Sequence, residues 1–396
     1  MTGQMNSVYI VSAVRTPLGS FGGVFKDVGA VELGAAAIKG ALERAGVPAE
    51  RVQEVLMGNV VSANLGQAPA RQAALAAGIS DRTPCSTINK VCSSGMKSTM
   101  IAAQSIMLGL NDIVVAGGME NMSRIPYYVP QARFGYKYGS SSLIDGLDRD
   151  GLQDPYDQCA MGSFADQTAT KYEISREEQD EYAIRSYKQS IASGENGVFA
   201  KEIIPVAVPQ RRGEALNVTS DEEYTRVKFE KIPSLRPAFS KDGTVTAANA
   251  STINDGAAAL VLASEKAVKE LKLSPIARIV SFADAAHEPA FFTTAPTLST
   301  AKALDLAGLT KDQIDFYEVN EAFSVVPLAF AKLLEIDRER MNVHGGAVSL
   351  GHPLGASGAR ILVTLANVLA EHDGKLGVAA ICNGGGGAST MVIERL

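Results

Sequence analysis

The sequence predicts a layered α/β protein of two similar halves, with a separate segment inserted in the first half. Helical periodicity alternates with short Val/Ile/Ala strands along most of the chain, the pattern of a sheet with helices on its faces. The chain also repeats itself. Ala41, Leu42, Ala45 and Gly46 pair without a gap with Ala303, Leu304, Ala307 and Gly308, and Ser94-Gly95 pairs with Ser357-Gly358. The offsets are 262 and 263 residues, and two matches in the same order point to duplication rather than chance. Residues 123–253 depart from this pattern and are richer in Tyr, Asp, Gln and loop residues.

Length and composition set the bounds. A chain of 396 residues exceeds one ordinary core. It divides into a first half over 1–122 completed by 254–275, the insertion 123–253, and a second half over 276–396. With 46% apolar and 20% charged residues it can bury a large core. A net charge of −6 argues against nucleic acid as a partner. Cys85, Cys92, Cys159 and Cys382 lack metal-ligand spacing, so neither a zinc site nor a disulfide framework is expected. No apolar stretch is long enough to span a bilayer. No secretory or transit leader is read at the N-terminus, and no peroxisomal signal at the C-terminus. A reducing, cytoplasmic setting is expected.

The elements follow in order. The N-terminal residues enter a strand almost at once, by Val8–Ile10. A helix ends at Gly46 and gives way, after a short turn, to an apolar strand. Asn89–Lys97 (NKVCSSGMK) is a turn feeding a helix, in which Met96, Met100, Ile101, Ala103, Met107 and Leu110 mark one buried face. Cys92 at its mouth meets unpaired N–H groups and the positive end of the helix dipole, both of which favour thiolate. By itself the segment equally describes a small core cysteine. A strand follows from Asp112. Within the insertion Tyr127, Tyr128, Tyr136, Tyr138 and Tyr156 lie close together, and Ser175 starts a charged helix running to Ser193.

The second half repeats the order. Its helix ends at Gly308, and its next strand ends in Val319–Phe323 (VNEAF), where Asn320 and Glu321 alone read as helix caps. His344–Gly358 (HGGAVSLGHPLGASG) surrounds His352 with glycines, a setting for tight turns and close approach. Such a histidine is either a satisfied structural residue or, beside a thiol, its base. The duplication sets Cys92 and His352 at matching corners, just before matching helices. Finally, Ala380–Gly387 (AICNGGGG) is a strand that breaks into four glycines. That run reads as an oxyanion pocket, a phosphate cradle or a flexible turn. It matches neither a dinucleotide fingerprint nor a P-loop.

Six segments in this order resemble the thiolase family over essentially the whole chain, and within it the short-chain acetyl-CoA acetyltransferases. They are Asn89–Gly95 (NKVCSSG), Gly117–Ser123 (GGMENMS), Asn249–Ala257 (NASTINDGA), Asn320–Phe323 (NEAF), Gly351–Pro353 (GHP) and Cys382–Gly386 (CNGGG). The resemblance implies a thiolase fold: two βαβαβαββ halves in a layered αβαβα core, with an inserted loop domain that binds CoA. It implies reversible Claisen condensation of two acetyl-CoA to acetoacetyl-CoA and CoA, feeding isoprenoid and sterol synthesis by the mevalonate route. CoA is then substrate and product, and no cofactor or metal is required for the bond-making step.

Carried over residue by residue, Cys92 is the nucleophile, His352 its activator and Cys382 the second acid/base. Asn320 fixes a water that forms one oxyanion hole with His352. The N–H groups of Cys92 and Gly384 form the other. Arg226 and Lys231 match positions near the nucleotide end of CoA, in a stretch (211–241) with seven Lys/Arg against five Asp/Glu. Ser251 matches a pantetheine contact, and Met161, Phe239 and Phe323 match the lining of the acyl channel. Potassium-activated members bind the ion through a tyrosine and backbone carbonyls, at positions matching Tyr187, Ala247, Ala248, Ala250 and Val348; Tyr187 is thus also a ligand-site candidate. A tetramer built from dimers is implied. Two departures stand out. Ala160 replaces a histidine of many bacterial members, and Phe292-Thr293 replaces the Phe-Pro of members that accept 2-methylacetoacetyl-CoA, so weaker use of α-branched substrates is expected. The rival readings are a degradative 3-ketoacyl-CoA thiolase for longer chains and a noncatalytic CoA- or lipid-binding relative.

Overall fold

The structure is a computed structural model and describes residues 5–396; what was read of the first four residues lies outside that range. In the first half, β1 (Val8–Arg15) and the short β2 (Gly19–Ser20) precede α1 (Ala30–Ala45). Then come β3 (Glu54–Gly58), α2 (Pro69–Ala76), β4 (Cys85–Ile88), α3 (Ser94–Met107) and β5 (Ile113–Asn121). The chain leaves the sheet here. It forms a small hairpin of β6 (Tyr127–Tyr128) and β7 (Ile144–Asp145), the helices α4 (Met161–Lys171) and α5 (Arg176–Glu195), and a second hairpin of β8 (Val206–Val208) and β9 (Leu216–Val218). It rejoins the sheet as β10 (Asn254–Ser264), whose Asp255 pairs with Asn121 of β5, so both ends of the excursion meet on one ladder.

After α6 (Glu265–Leu271), the second half runs β11 (Ala277–Ala286), α7 (Ala295–Ala307), β12 (Phe316–Val319) and α8 (Val325–Leu334). It closes with α9 (Ala347–Leu350), α10 (Leu354–Glu371), β13 (Leu376–Asn383) and β14 (Gly387–Arg395). The order across the sheet is β12-β13-β14-β11-β1-β10-β5-β3-β4. Each half has the same pairing sense. β4 and β5 flank β3 in parallel, and β10 and β1 continue antiparallel. A bridge from Met341 and strand β13 flank β12 in parallel, and β14 and β11 continue antiparallel. The halves join where Tyr9 and Ile10 pair with Arg278 and Ala277. The local match is equally close: α1 ends at Gly46 with φ 64° and ψ 26°, and α7 ends at Gly308 with φ 65° and ψ 29°.

Alternation along the strands builds the layers, because successive side chains face opposite sides. Val55, Met57, Val115 and Val261 pack on α1 and α2. Their neighbours Leu56, Val114, Ala116 and Leu260 face the other way, onto α3 and α10. From the second half Ala379, Ile381, Met391 and Ile393 reach that same inner layer, while Val378, Ala380 and Val392 face α8 and its neighbours. The order is helix, sheet, helix, sheet, helix. That is the expected αβαβα core, with α3 and α10 in the middle.

Three local readings need correction. Leu110 lies beyond the end of α3 and is 71% exposed, because the helix stops at Met107. Ser357 and Gly358 lie inside α10, which starts at Leu354, whereas Ser94 and Gly95 open α3. Asn320 and Glu321 cap no helix, since α8 starts only at Val325 after Ser324. The charged helix expected from Ser175 is α5, and Ser175 forms a reciprocal capping box with Glu178.

Candidate active site

Cys92 sits on a tight turn between β4 and α3. Val91 before it has φ 48°, a conformation that a β-branched residue adopts only under constraint. The constraint comes from the second half. Ser93 Oγ meets Asn383 Oδ1 at 3.0 Å and Ile381 O at 3.3 Å. Lys90 Nζ donates to Asp284 Oδ1 at 2.6 Å and Ser389 Oγ at 2.8 Å. The turn is thereby stapled to the end of β13 and the start of β14, which bracket the glycine run.

The helix-start argument for a resting thiolate does not hold. Burial pushes the Cys92 thiol up to about 12, and the N–H groups of Gly384 and of Cys92 itself, which face the sulfur, only partly offset this. Removing the charged form from water outweighs two backbone dipoles. Cys92 rests as a neutral thiol inside a ready-made pair of N–H donors.

His352 precedes α10 at the matching corner. Its backbone N–H reaches Thr252 O at 3.3 Å and Asn254 Oδ1 at 3.2 Å, which fixes it to the segment where the insertion returns to the sheet. Its Nδ1 lies 2.6 Å from Ser357 Oγ, whose own proton goes to Pro353 O at 2.9 Å. Nδ1 must therefore be the donor, and Nε2 carries the free lone pair. Burial, reinforced by the charge of Arg360, lowers the imidazole to about 3. Nε2 has no hydrogen-bond partner among the described residues although the residue is buried. This is a neutral base with its acceptor nitrogen free.

Cys382 ends β13, fully buried, and its thiol is raised well above the usual range by burial and by the charge of Cys92. That coupling places the two sulfurs in one electrostatic environment. Asn320 lies on the adjoining chain, its N–H bonded to Ala380 O at 2.9 Å. It is fully buried and neither amide atom finds a protein partner. Such groups are costly and rare, and they mark positions used by a ligand or ordered water. Gly384 completes the group, standing beside Val91 and Met161: a Cβ there would lie 3.6 Å from Val91 Cγ1 and 3.8 Å from Met161 Cε. Gly385 and Gly386 turn the chain back with φ 82° and 83°. Nothing in the geometry gives the run a phosphate-cradle role.

A cavity of 1160 Å³ opens onto this group. Cys92, His352 and Gly384 line it, whereas the buried Cys382 and Asn320 do not. Met161, Phe239, Phe292 and Phe323 line an apolar stretch, in which Phe323 meets Phe239 and Phe292 edge-on at 6.0 and 6.5 Å. Ser251, Ala247 and Ala250 also line it, and Arg226 joins the wall while paired with Glu222.

Four expected ligand-site residues stand apart. Lys231 is exposed and outside the cavity wall. Tyr187 and Val348 pack in a separate buried cluster with Leu350 and Phe199. Burial and the charges of Glu223 and Glu321 raise the Tyr187 phenol. Ala248 does not line the cavity either. Among His, Cys, Asp and Glu side chains of the described residues, one group has metal-ligand spacing, His344 with Glu371 and His372, and it lies outside this site.

Other residues that hold the site together gave little signal in the sequence. Glu120 is buried and accepts from the N–H groups of Val60 at 2.9 Å, Val61 at 3.2 Å and Gly355 at 2.8 Å. It clamps the cavity wall to the first turn of α10, and burial raises its carboxyl to about 7. Glu321 receives Tyr182 Oη, Ser186 Oγ, Asn342 Nδ2 and the Val348 N–H within 3.0 Å, a knot between α5 and the chain after β12. Ser357 had the one usable signal, five residues after His352 on a helix.

Family models described as "Thiolase, N-terminal domain" and "Thiolase, C-terminal domain" match residues 8–266 and 273–395. The chain belongs to the thiolase family. Among similar thiolases, the acetyl-CoA acetyltransferase of Schizosaccharomyces pombe is 56% identical over 390 residues, covering 98% of this chain and 99% of that protein. The crystal structure of Acat5 thiolase from Ascaris suum in complex with coenzyme A is 49% identical with a TM-score of 0.93, covering 98% of this chain and all of that one. The crystal structure of the Bacillus anthracis acetyl-CoA acetyltransferase is 41% identical with a TM-score of 0.97, and each chain is covered in full. The thiolase fold read from the motifs is thus shared over the whole length. No helix of the described residues is long and apolar enough to cross a membrane.

Proposed function

We propose that this thiolase is an acetyl-CoA C-acetyltransferase that condenses two acetyl-CoA into acetoacetyl-CoA and CoA through an acetyl-Cys92 intermediate. The observation that carries the reading is that Cys92, His352 and Gly384 line one cavity, with Cys382, on β13, two residues before Gly384. The near-full-length identity to acetyl-CoA acetyltransferases supports the same substrate.

The chemistry follows from the protonation states. As Cys92 Sγ attacks the thioester carbonyl, its proton passes to His352 Nε2. The N–H groups of Cys92 and Gly384 hold the developing oxyanion, and one such donor is typically worth about 3 kcal/mol in the barrier. The CoA sulfur departs with the proton of Cys382, leaving acetyl-Cys92, an imidazolium and the Cys382 thiolate. That thiolate, strongly basic where it is buried, takes an α-proton from the second acetyl-CoA. The enolate oxygen lies toward His352 and a water held by Asn320. Its carbon attacks acetyl-Cys92, whose sulfur leaves and recovers the proton from His352. Protons and charge return to their starting places.

The cavity is large and mostly apolar beyond the reacting groups, which suits a long thioester arm. Arg226 and Ser251 on its wall are assigned to the nucleotide and pantetheine ends of CoA, and Lys231 to the outer nucleotide contact. Potassium activation through Tyr187, Ala247, Ala248, Ala250 and Val348, a tetramer built from dimers, and supply of isoprenoid and sterol synthesis in the cytoplasm rest on the resemblance to short-chain members. Thiolysis of 3-ketoacyl-CoA esters of increasing length, in matched potassium and sodium buffers, tests the reading. Activity confined to acetoacetyl-CoA supports it. Comparable rates on long chains would move the enzyme to the degradative class, and equal rates in both buffers would remove the ion.

A further inference from the structure

A second chemical centre lies where α10 ends, outside the active-site cavity. His344, Glu371 and His372 each present one donor atom, and the three atoms fall within 4.8 Å of one another. His344 is 5% exposed, and its Nε2 is buried without a hydrogen-bond partner. That nitrogen lies 3.9 Å from Glu371 Oε2, too far for a hydrogen bond. The His344 and His372 rings stand 5.5 Å apart between centroids at 31°.

We propose that His344, Glu371 and His372 form a binding site for a divalent transition metal of the zinc type, with water completing the shell. Two imidazoles and a carboxylate are a set that zinc takes readily. Donors in a tetrahedral zinc site lie roughly 3.3 Å apart, so Glu371 and His372 need move inward by about an ångström. Both are exposed, though Glu371 is held by Lys201 and the His372 ring packs on Phe316. The buried member is already oriented. Its Nδ1 lies 3.1 Å from Ser193 Oγ, a hydroxyl placed to accept the Nδ1 proton once Nε2 binds a metal.

The electrostatic surroundings are mixed. The C-terminal carbonyls of α10 attract a cation. Lys201 opposes it, at 3.5 Å from Glu371 Oε2, and yields or shares that carboxylate when the metal binds. A bound ion would tie both ends of the segment 344–372 together, and that segment carries His352.

Titration of the metal-free full-length protein with Co²⁺, then Zn²⁺, tests this. One equivalent of Co²⁺ should give visible bands without the near-ultraviolet absorption of thiolate ligation, and Zn²⁺ should displace it and raise Tm. Loss of an outer-shell group alone costs about 10- to 100-fold in affinity. His372→Ala and Glu371→Gln should therefore each weaken Zn²⁺ binding at least about tenfold and abolish the Tm rise, while turnover of the metal-free variants stays at the parent value. Unchanged affinity in both variants, thiolate absorption, or no stoichiometric binding would each overturn the site.

Discussion

Ser357 spends its only proton on Pro353 O, and this decides which nitrogen of His352 is free. Removing that hydroxyl releases the tautomer without touching the cavity wall. Ser357→Ala should lower kcat by about 10- to 100-fold, below the roughly 100- to 10,000-fold that a general base supplies in full, and leave KM for acetyl-CoA nearly unchanged. A proportional rise in KM would mean that Ser357 shapes binding instead. The Cys92 thiol gives a second expectation. With the sulfur near 12 and His352 near 3, the free enzyme holds a neutral pair at neutral pH. The absorbance difference at about 240 nm between the wild type and Cys92→Ala should show no thiolate step from about pH 6 to 9. A step centred near neutrality would instead indicate a resting ion pair. At this scale the grouping of Cys92, His352 and Gly384 was legible, because their motifs carry the resemblance. The resting charge of Cys92 was not, because it depends on burial, which the turn sequence does not encode.

Between elements, α3 and α10 approach closely where they cross. A Cβ on Gly95 would stand 2.8 Å from Ala359 N, and one on Gly358 would stand 2.9 Å from Met96 Cβ and closer still to Met96 N. The two glycines of the internal repeat are thus the contact that brings the Cys92 and His352 corners together. Gly358→Ala should destabilise the protein by about 1–3 kcal/mol through overpacking and lower turnover as well. Urea unfolding at an unchanged midpoint would contradict the crossing argument. Here the repeat was readable, but its role was not, since a Ser-Gly pair says nothing of what lies opposite.

Glu120 acts between the loop after β3 and α10. Its folded-state carboxyl sits at about 7 against an ordinary 4.5. The folded state therefore holds an extra proton between those values, and this contribution to stability is present below about 4.5 and lost as pH rises through 7. Glu120→Gln keeps the neutral form at every pH. The stability of the wild type relative to this variant should fall from pH 5 to pH 8 in urea melts, and parallel curves would refute the assignment. Glu120 was quoted only as part of a motif, because the three N–H groups it receives come from Val60, Val61 and Gly355, two distant segments of chain.

For the molecule as a whole, duplication explains the site. Two halves of like topology meet at β1 and β11, and their inner helices deliver a thiol from one half and an imidazole from the other. The glycine run and Cys382 also come from the second half, so neither half holds the reacting set alone. The alternation of helix and strand and the 262-residue echo made this architecture legible. The positions of Lys231, Tyr187 and Val348 outside the cavity were not, because they depend on how distant segments pack together, as Tyr187 of the insertion does with Val348 of the second half. The central claim is the division of labour between the two cysteines, and mass spectrometry of the Cys382→Ser protein after exposure to acetyl-CoA tests it most directly. One acetyl group on Cys92, with no acetoacetyl-CoA released, is the expected result, and the Cys92→Ala control should carry none. An unmodified Cys92, or steady condensation by the Cys382→Ser protein, would contradict it.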